Sequence, residues 1–312
     1  MPPTEADIAT LAADAQIHRR LGATLTPPGV SRIAGEALAL QLASLGPNPD
    51  VTAQRGGLHV GYLAHLPLTT AALFQHVREC CGEVVALRGC EAATRTHLVG
   101  DPETPADGPL TSGDVRLTIC DAVAHVDADV RATLVRAILS GDVASPTPTT
   151  YQTHPLASVV AVGQTLVAGE STPIDARITA SLDCCIPVTR TRDHTDGEHA
   201  GTTPTVEPVP PAVVDRYLNT VWTTAPTVTT AAKDAWREYD TQYTAQQPDV
   251  WRRVGATSQT ELIPKVAVAL ARLQLAESIT AGHTTAAIAW CERLMARSVE
   301  FDHAIDETTI ES

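Results

Sequence analysis

From residue 58 onward, short apolar runs alternate with longer stretches in which apolar residues recur every three or four positions. The short runs are Leu58 to Leu63, Glu83 to Arg88, Val115 to Cys120, Ser158 to Val162 and Cys184 to Val188. Short apolar strands alternating with helices are the pattern of a parallel sheet with crossovers. Between them, Thr69 to Cys80 and Asp127 to Leu139 have helical spacing, and the second places Val130, Leu134, Ala137 and Ile138 on one side. The predicted fold class is α/β: a parallel five-stranded sheet with helical crossovers.

Upstream, residues 4 to 45 read as two helices parted by Pro27 and Pro28. The first has an acidic start at Thr4-Glu5-Ala6-Asp7, and the second a dense Ala/Leu face from Gly35 to Leu45. Downstream, Thr189 to Pro211 carries four prolines and reads as a linker. Four helices are expected after it: Pro211 to Val221, Thr229 to Gln246, Thr257 to Ala276 and Thr284 to His303. Pro264 should delay the start of the third by about one turn, because a proline past the first turn removes an N–H and clashes with a carbonyl. The predicted organisation is an α/β core with N-terminal helices over 1–189, a linker over 190–210 and an all-helical lid over 211–312.

Composition narrows the possible partners. Of 312 residues, 36 are acidic and 22 basic, a formal charge of −14, which disfavours capture of nucleic acid by a broad basic surface. Lys233 and Lys265 are the only lysines. A lysine-poor, acidic chain suits a high-salt cytoplasm, where screening blunts self-repulsion, so a halophilic, cytoplasmic protein is expected. Cys80, Cys81, Cys90, Cys120, Cys184, Cys185 and Cys291 show no C-x-x-C spacing and read as buried reduced thiols. No apolar run approaches the ~20 residues of a membrane helix.

Several segments, in order, resemble the ATPase domain of the minichromosome maintenance (MCM) family of AAA+ proteins. They are Ala13-Asp14 with Ile17-His18-Arg19-Arg20-Leu21, Arg55-Gly56 before the first strand, Asp101-Pro102-Glu103-Thr104, and Ala269 to Leu275 followed by Ile279-Thr280 and Ala286-Ala287-Ile288. The resemblance implies an AAA+ P-loop-type core and a helical lid. It starts where that family's ATPase domain starts, so its N-terminal oligonucleotide-binding domain and zinc ribbon are expected to have no counterpart.

Phosphate binding in a P-loop needs G-x-x-x-x-G-K-[ST] between a strand and a helix, so that amides and a lysine surround the phosphates and a hydroxyl holds Mg²⁺. The matching slot reads Ala64-His65-Leu66-Pro67-Leu68-Thr69-Thr70-Ala71, without glycine or lysine. Thr70 falls on the lysine position; Thr69 and Thr70 read either as helix N-caps or as a remaining Mg²⁺ hydroxyl pair. On the next strands, Asp121 keeps the metal-binding carboxylate position while Ala122 replaces the catalytic glutamate, and Gln164 stands near the sensor asparagine. Asp121 on its own also reads as a cap or salt-bridge partner. Ala180-Ser181-Leu182-Asp183 matches the arginine-finger segment without its arginine, with Arg177 about a turn away. The lid arginine falls on Ser258 or Gln259, and Lys265 reads as a solvated helix charge.

The stretch Ala144 to Thr149, matching a DNA-gripping hairpin tip, is uncharged. The cluster Asp193, His194, Asp196, Glu198 and His199 reads as acidic linker composition or as a divalent-ion site. Cys184 and Cys185 read as core residues rather than nucleophiles, and Trp222, Trp236, Trp251 and Trp290 as interhelix packing. Together these readings predict an MCM-like pseudo-ATPase with no catalytic residues, metal or cofactor. It would act as an accessory or regulatory factor in DNA replication, bound to an MCM helicase or another replication protein, with weak or indirect DNA contact and possible oligomerisation. The alternative is a divergent helicase subunit of a mixed ring that binds ATP and Mg²⁺ through Asp121; a third reading is a relic with no replication role.

Overall fold

The computed structural model describes residues 4–45, 57–64, 69–89, 94–100, 108–121, 123, 126–144, 153–155, 158–165, 176–190, 206–244 and 259–310. Three helices open the chain: α1 (Glu5–Ala12), α2 (Ile17–Leu25) and α3 (Arg32–Ser44). The expected pair is thus a trio. Asp14 makes the extra break, its carboxylate accepting the Gln16 N–H at 2.8 Å and so offering the backbone a turn in place of another helical bond.

Five strands form one parallel sheet: β1 (Val60–Ala64), β2 (Val85–Gly89), β3 (Leu117–Asp121), β6 (Val159–Thr165) and β7 (Cys184–Val188), in spatial order β2-β3-β6-β1-β7. All five lie within a few residues of the predicted runs. Helix α4 (Thr69–Cys81) carries the chain from β1 to the far edge at β2, and α5 (Arg95–Val99), α6 (Ala128–Ser140) and α7 (Ala176–Ser181) connect the strands on the way back. Right-handed crossovers running in opposite directions put α4 and α6–α7 on opposite faces of the sheet. Tyr62, Ile119, Ala161 and Ile186 accordingly pack with α3 and α4, while Cys120, Val160, Val162 and Cys185 pack with α6 and α7. A hairpin of β4 (Asp142–Ala144) and β5 (Thr153–Pro155) precedes β6; the expected neutral tip between them lies outside the described residues.

A buried glutamine registers α3 on the sheet. Gln41 Nε2 donates to the Val160 carbonyl at 2.8 Å and its Oε1 accepts from the Tyr62 hydroxyl at 3.0 Å. Tyr62 in turn meets Phe74 of α4 edge-on at 5.4 Å.

The C-terminal helices are α8 (Pro211–Thr223), α9 (Thr230–Tyr239), α10 (Gln259–Leu273) and α11 (Ala281–Ile310), with a two-residue parallel pairing of β8 (Thr227–Val228) and β9 (Ser278–Ile279). Pro211 opens α8 at its first turn, where its missing N–H costs no bond. Pro264 does not delay α10, which starts at Gln259 and runs through it. The proline sits in the second turn and removes only the bond to the carbonyl four residues back, while Leu262, Ile263, Val266 and Ala267 around it are buried.

This helical region is tied to the α3 face by polar bonds made in the interior. Lys265 Nζ of α10 reaches both carboxylate oxygens of Asp183 at 2.8 and 3.0 Å, with the lysine only 3% exposed. The expected solvated charge is therefore a buried ion pair. The Arg272 guanidinium donates to the Ser44 carbonyl and, at 3.3 Å, to that of Thr224. Trp222 of α8 donates its indole N–H to the Leu42 carbonyl at 2.8 Å, and the Tyr217 hydroxyl bonds the Leu273 carbonyl.

Removing one member of a buried pair strands the other charge, which typically costs about 3–5 kcal/mol. Lys265→Met is expected to lower unfolding stability by about that amount in denaturant titration. Adding Asp183→Leu should recover only part of the loss, because Asp183 also accepts the His59 N–H at 2.8 Å. Full recovery, or no loss in the single variant, would contradict this account of the clamp.

Candidate functional site

In a doubly wound sheet, ligands sit beyond the carboxyl ends of strands at the point where successive connections leave in opposite directions. Here that point lies between β1 and β6, since β1 leads to α4 and one edge while β6 leads to α7 and the other. Ala64 and Thr165 end the two strands in register, and Asp121 ends β3 next door. The predicted site residues Ala64, Thr69, Thr70, Asp121 and Gln164 are all near this crevice; His65, Leu66 and Pro67 lie outside the described residues.

Ala64 is buried, and α4 begins at Thr69 with Thr69 and Thr70 each 2% exposed. The Thr69 hydroxyl is buried and makes no hydrogen bond, so it does not perform the expected N-capping.

Asp121 and Phe74 converge on Gly163. A Cβ at residue 163 would collide with Asp121 Oδ1 and with the Phe74 ring, so the glycine is what lets an acidic strand end and an aromatic ring from α4 share one patch of the sheet. Strand alternation then sends Gln164 to the opposite face, toward the side of Val160 and Val162.

Asp183, the aspartate of the Ala180–Asp183 segment, has different surroundings. It lies at the head of β7, its N–H donates to the His59 carbonyl at 2.8 Å, and its carboxylate is held by Lys265 and the His59 N–H. His59 Nδ1 accepts the Val160 N–H at 3.0 Å, which links the heads of three strands. This network lies at the amino ends of the strands, about 17 Å from the crevice for strands of five residues. Sequence reasoning missed this clamp. Its signal was a lone lysine inside the apolar run Ile263-Pro264-Lys265-Val266-Ala267-Val268.

Arg177 is exposed on α7, one turn before Ser181. Ser258 lies outside the described residues, and Gln259 is the first residue of α10. Burial holds the thiols neutral: it pushes Cys185 and Cys81 up to about 12 and Cys184 well above the ordinary thiol range. A thiol held protonated is a poor nucleophile, which agrees with the core reading of Cys184 and Cys185. Trp222 and Trp290 are buried between helices as expected, while Cys90, Trp251 and the Asp193–His199 cluster lie outside the described residues. Among the described residues no group of three or more His, Cys, Asp or Glu side chains could hold a metal, and no helix is long and apolar enough to cross a membrane.

One titrating group joins α3 to the last helix. Glu36 accepts from Arg293 at 2.8 Å and has Arg19 at 4.0 Å, yet burial raises its pKa to about 7, against the opposing pull of Arg19, the Trp290 indole and Arg32. A raised carboxylate pKa means that the folded state binds more protons than the unfolded chain between about pH 4.5 and 7, so this contribution to stability is full below that window and is lost across it. The stability advantage of wild type over Glu36→Gln should therefore shrink as pH rises through this window, by up to about 1.4 kcal/mol per pH unit. An advantage that grows with pH would mean that the arginines, not burial, govern the group.

Gly163→Ala should destabilise the fold by about 1–3 kcal/mol, the usual cost of overpacking, as measured by chemical denaturation. A neutral effect would show that Asp121 and Phe74 are free to move apart.

No protein-family model and no curated protein matches the sequence. A solved structure does match: the crystal structure of a full-length MCM homologue from Methanopyrus kandleri is similar over 96% of this chain, with a TM-score of 0.69 and 17% sequence identity. The fold class is accordingly an MCM-like AAA+-type α/β core with a five-stranded parallel sheet. The match covers 63% of that homologue, so this chain spans less than two thirds of its length.

Proposed function

We propose that this chain is an MCM-like AAA+ pseudo-ATPase, a non-catalytic accessory or regulatory factor that works through protein contacts with an MCM helicase or another replication protein. The observation that carries the reading is the amino-acid sequence that joins β1 to α4 at the switch point. Ala64 to Ala71 has no glycine for close approach of backbone to phosphate and no lysine to neutralise it. Proline at 67 also removes an amide donor. The Asp183–Lys265 pair and the Arg272 bonds, which tie the C-terminal helices to the core through the chain's own side chains, support the same reading. An acidic surface with a charge of −14 favours protein partners over direct DNA binding, and the lysine-poor composition fits a high-salt interior.

The test is calorimetric titration with ATP and ADP in the presence of Mg²⁺ in concentrated KCl, together with co-purification of the tagged chain from its native cytoplasm. Affinity no tighter than about 1 mM, equivalent to about −4 kcal/mol, with no turnover and a co-purifying replicative helicase, is the expected result. Measurable ATP turnover that Asp121→Ala abolishes would overturn it in favour of a divergent helicase subunit.

A further inference from the structure

The C-terminal helical region holds a cavity that shares no residue with the crevice. It measures about 240 Å³ and lies between α9, α10, the β8–β9 pairing and the first turn of α11. An apolar cavity of roughly 150 Å³ is enough to bind a benzene ring, so there is room here for a ring and a short arm. Ala232, Ala267, Val268 and Ile279 are buried and form an apolar wall. Pro264 belongs to the same wall and brings a ring where another residue would bring an N–H.

The polar side of the cavity comes from α9. Lys233, Trp236 and Arg237 stand at i, i+3 and i+4, which makes them neighbours on the helix surface, and all three line the cavity. Lys233 and Arg237 are exposed. Arg237 has Asp234 at 3.7 Å in a loose pair with both side chains largely exposed, and Lys233 has no acidic partner among the described residues. Trp236 differs from both, since its indole N–H is buried and makes no hydrogen bond. A buried donor left without an acceptor is costly. The Thr284 hydroxyl, also in the wall, is already used, donating to the Ala232 carbonyl at 3.3 Å.

The chain carries a charge of −14 and two lysines, and the other lysine is spent on Asp183. Two cations and an unused donor beside an apolar hollow therefore stand out, and they describe a ligand with an apolar body, an acceptor and a negative charge. We propose that this pocket binds a small organic carboxylate with an aromatic or branched aliphatic body, supplied free or as the C-terminal residue of a polypeptide. The body packs against the apolar wall, the carboxylate accepts from the Trp236 N–H, and its charge is shared by Lys233 and Arg237. The site is independent of whether the crevice binds nucleotide.

Titration of the full-length chain with hydrocinnamate, followed by proton–nitrogen NMR of the indole N–H groups, tests the proposal; loss of one signal in Trp236→Phe identifies that residue. Among the four tryptophans, the Trp236 signal alone should shift and saturate, with a Kd of about 1 mM or tighter. The neutral amide of the same acid should bind at least about fivefold more weakly. Lys233→Gln and Arg237→Gln should each weaken hydrocinnamate about two- to fivefold, the worth of an exposed ion pair, while the other indole signals stay in place and report an intact fold. A glycyl-glycyl-alanyl-phenylalanine peptide with a free C-terminus separates the two sources: tighter binding than hydrocinnamate assigns the ligand to a polypeptide end, weaker binding to a free carboxylate. No shift of the Trp236 signal at about 20 mM of either probe, where a site of about 1 mM would be filled, overturns the proposal. So does an amide that binds as well as the acid, binding that the Lys233 and Arg237 variants leave intact, or the same shift produced by inorganic phosphate alone.

Discussion

Two unlike charges out of reach of water decide how this molecule is put together. Asp183 stands at the head of an edge strand and Lys265 in the middle of a helix 82 residues later, and each is costly to bury unless it finds the other. Their pairing fixes where α10 can lie. With α10 in place, Arg272 reaches the end of α3 and Trp222 of α8 meets the neighbouring carbonyl of Leu42. Apolar burial supplies most of the driving force for docking the helical region, but it is non-directional. The buried polar bonds select one docked arrangement from the many that would bury a similar area.

The same economy explains the opposite end of the sheet. The topology still creates a crevice at the carboxyl ends of β1 and β6, because strand order and crossover direction are properties of the backbone. What chemistry the crevice can do depends on side chains and on amides free to face a ligand. Phe74 and Gly163 make the local packing tight against Asp121, and the sequence between β1 and α4 has Leu66, Pro67 and Leu68 where a phosphate cradle needs glycine and lysine. Architecture and occupation are thus separable. The fold is shared with an MCM homologue at 17% identity, and the function has to be argued from the site.

Much of this was legible from the sequence, for a physical reason. Strands buried on both faces are mostly apolar, so β1 and β7 announce themselves, and the one-sided burial of α6 shows directly in its spacing. What remained hidden depends on distant or competing interactions. The break at Asp14 is a local side-chain bond that beats helix continuation. Continuation through Pro264 is the reverse, tertiary burial of its neighbours outweighing one missing bond. Lys265 was read as solvated because its partner is far away in sequence.

The central claim is that the lid and crevice are set by the chain's own contacts rather than by nucleotide, and hydrogen–deuterium exchange with and without Mg²⁺-ATP tests it most directly. The account predicts slow amide exchange along residues 262–273 in the free protein, with no change there or at the start of α4 when nucleotide is added. Fast exchange in that helix that slows only with Mg²⁺-ATP, together with new protection around Thr69 and Thr70, would contradict it.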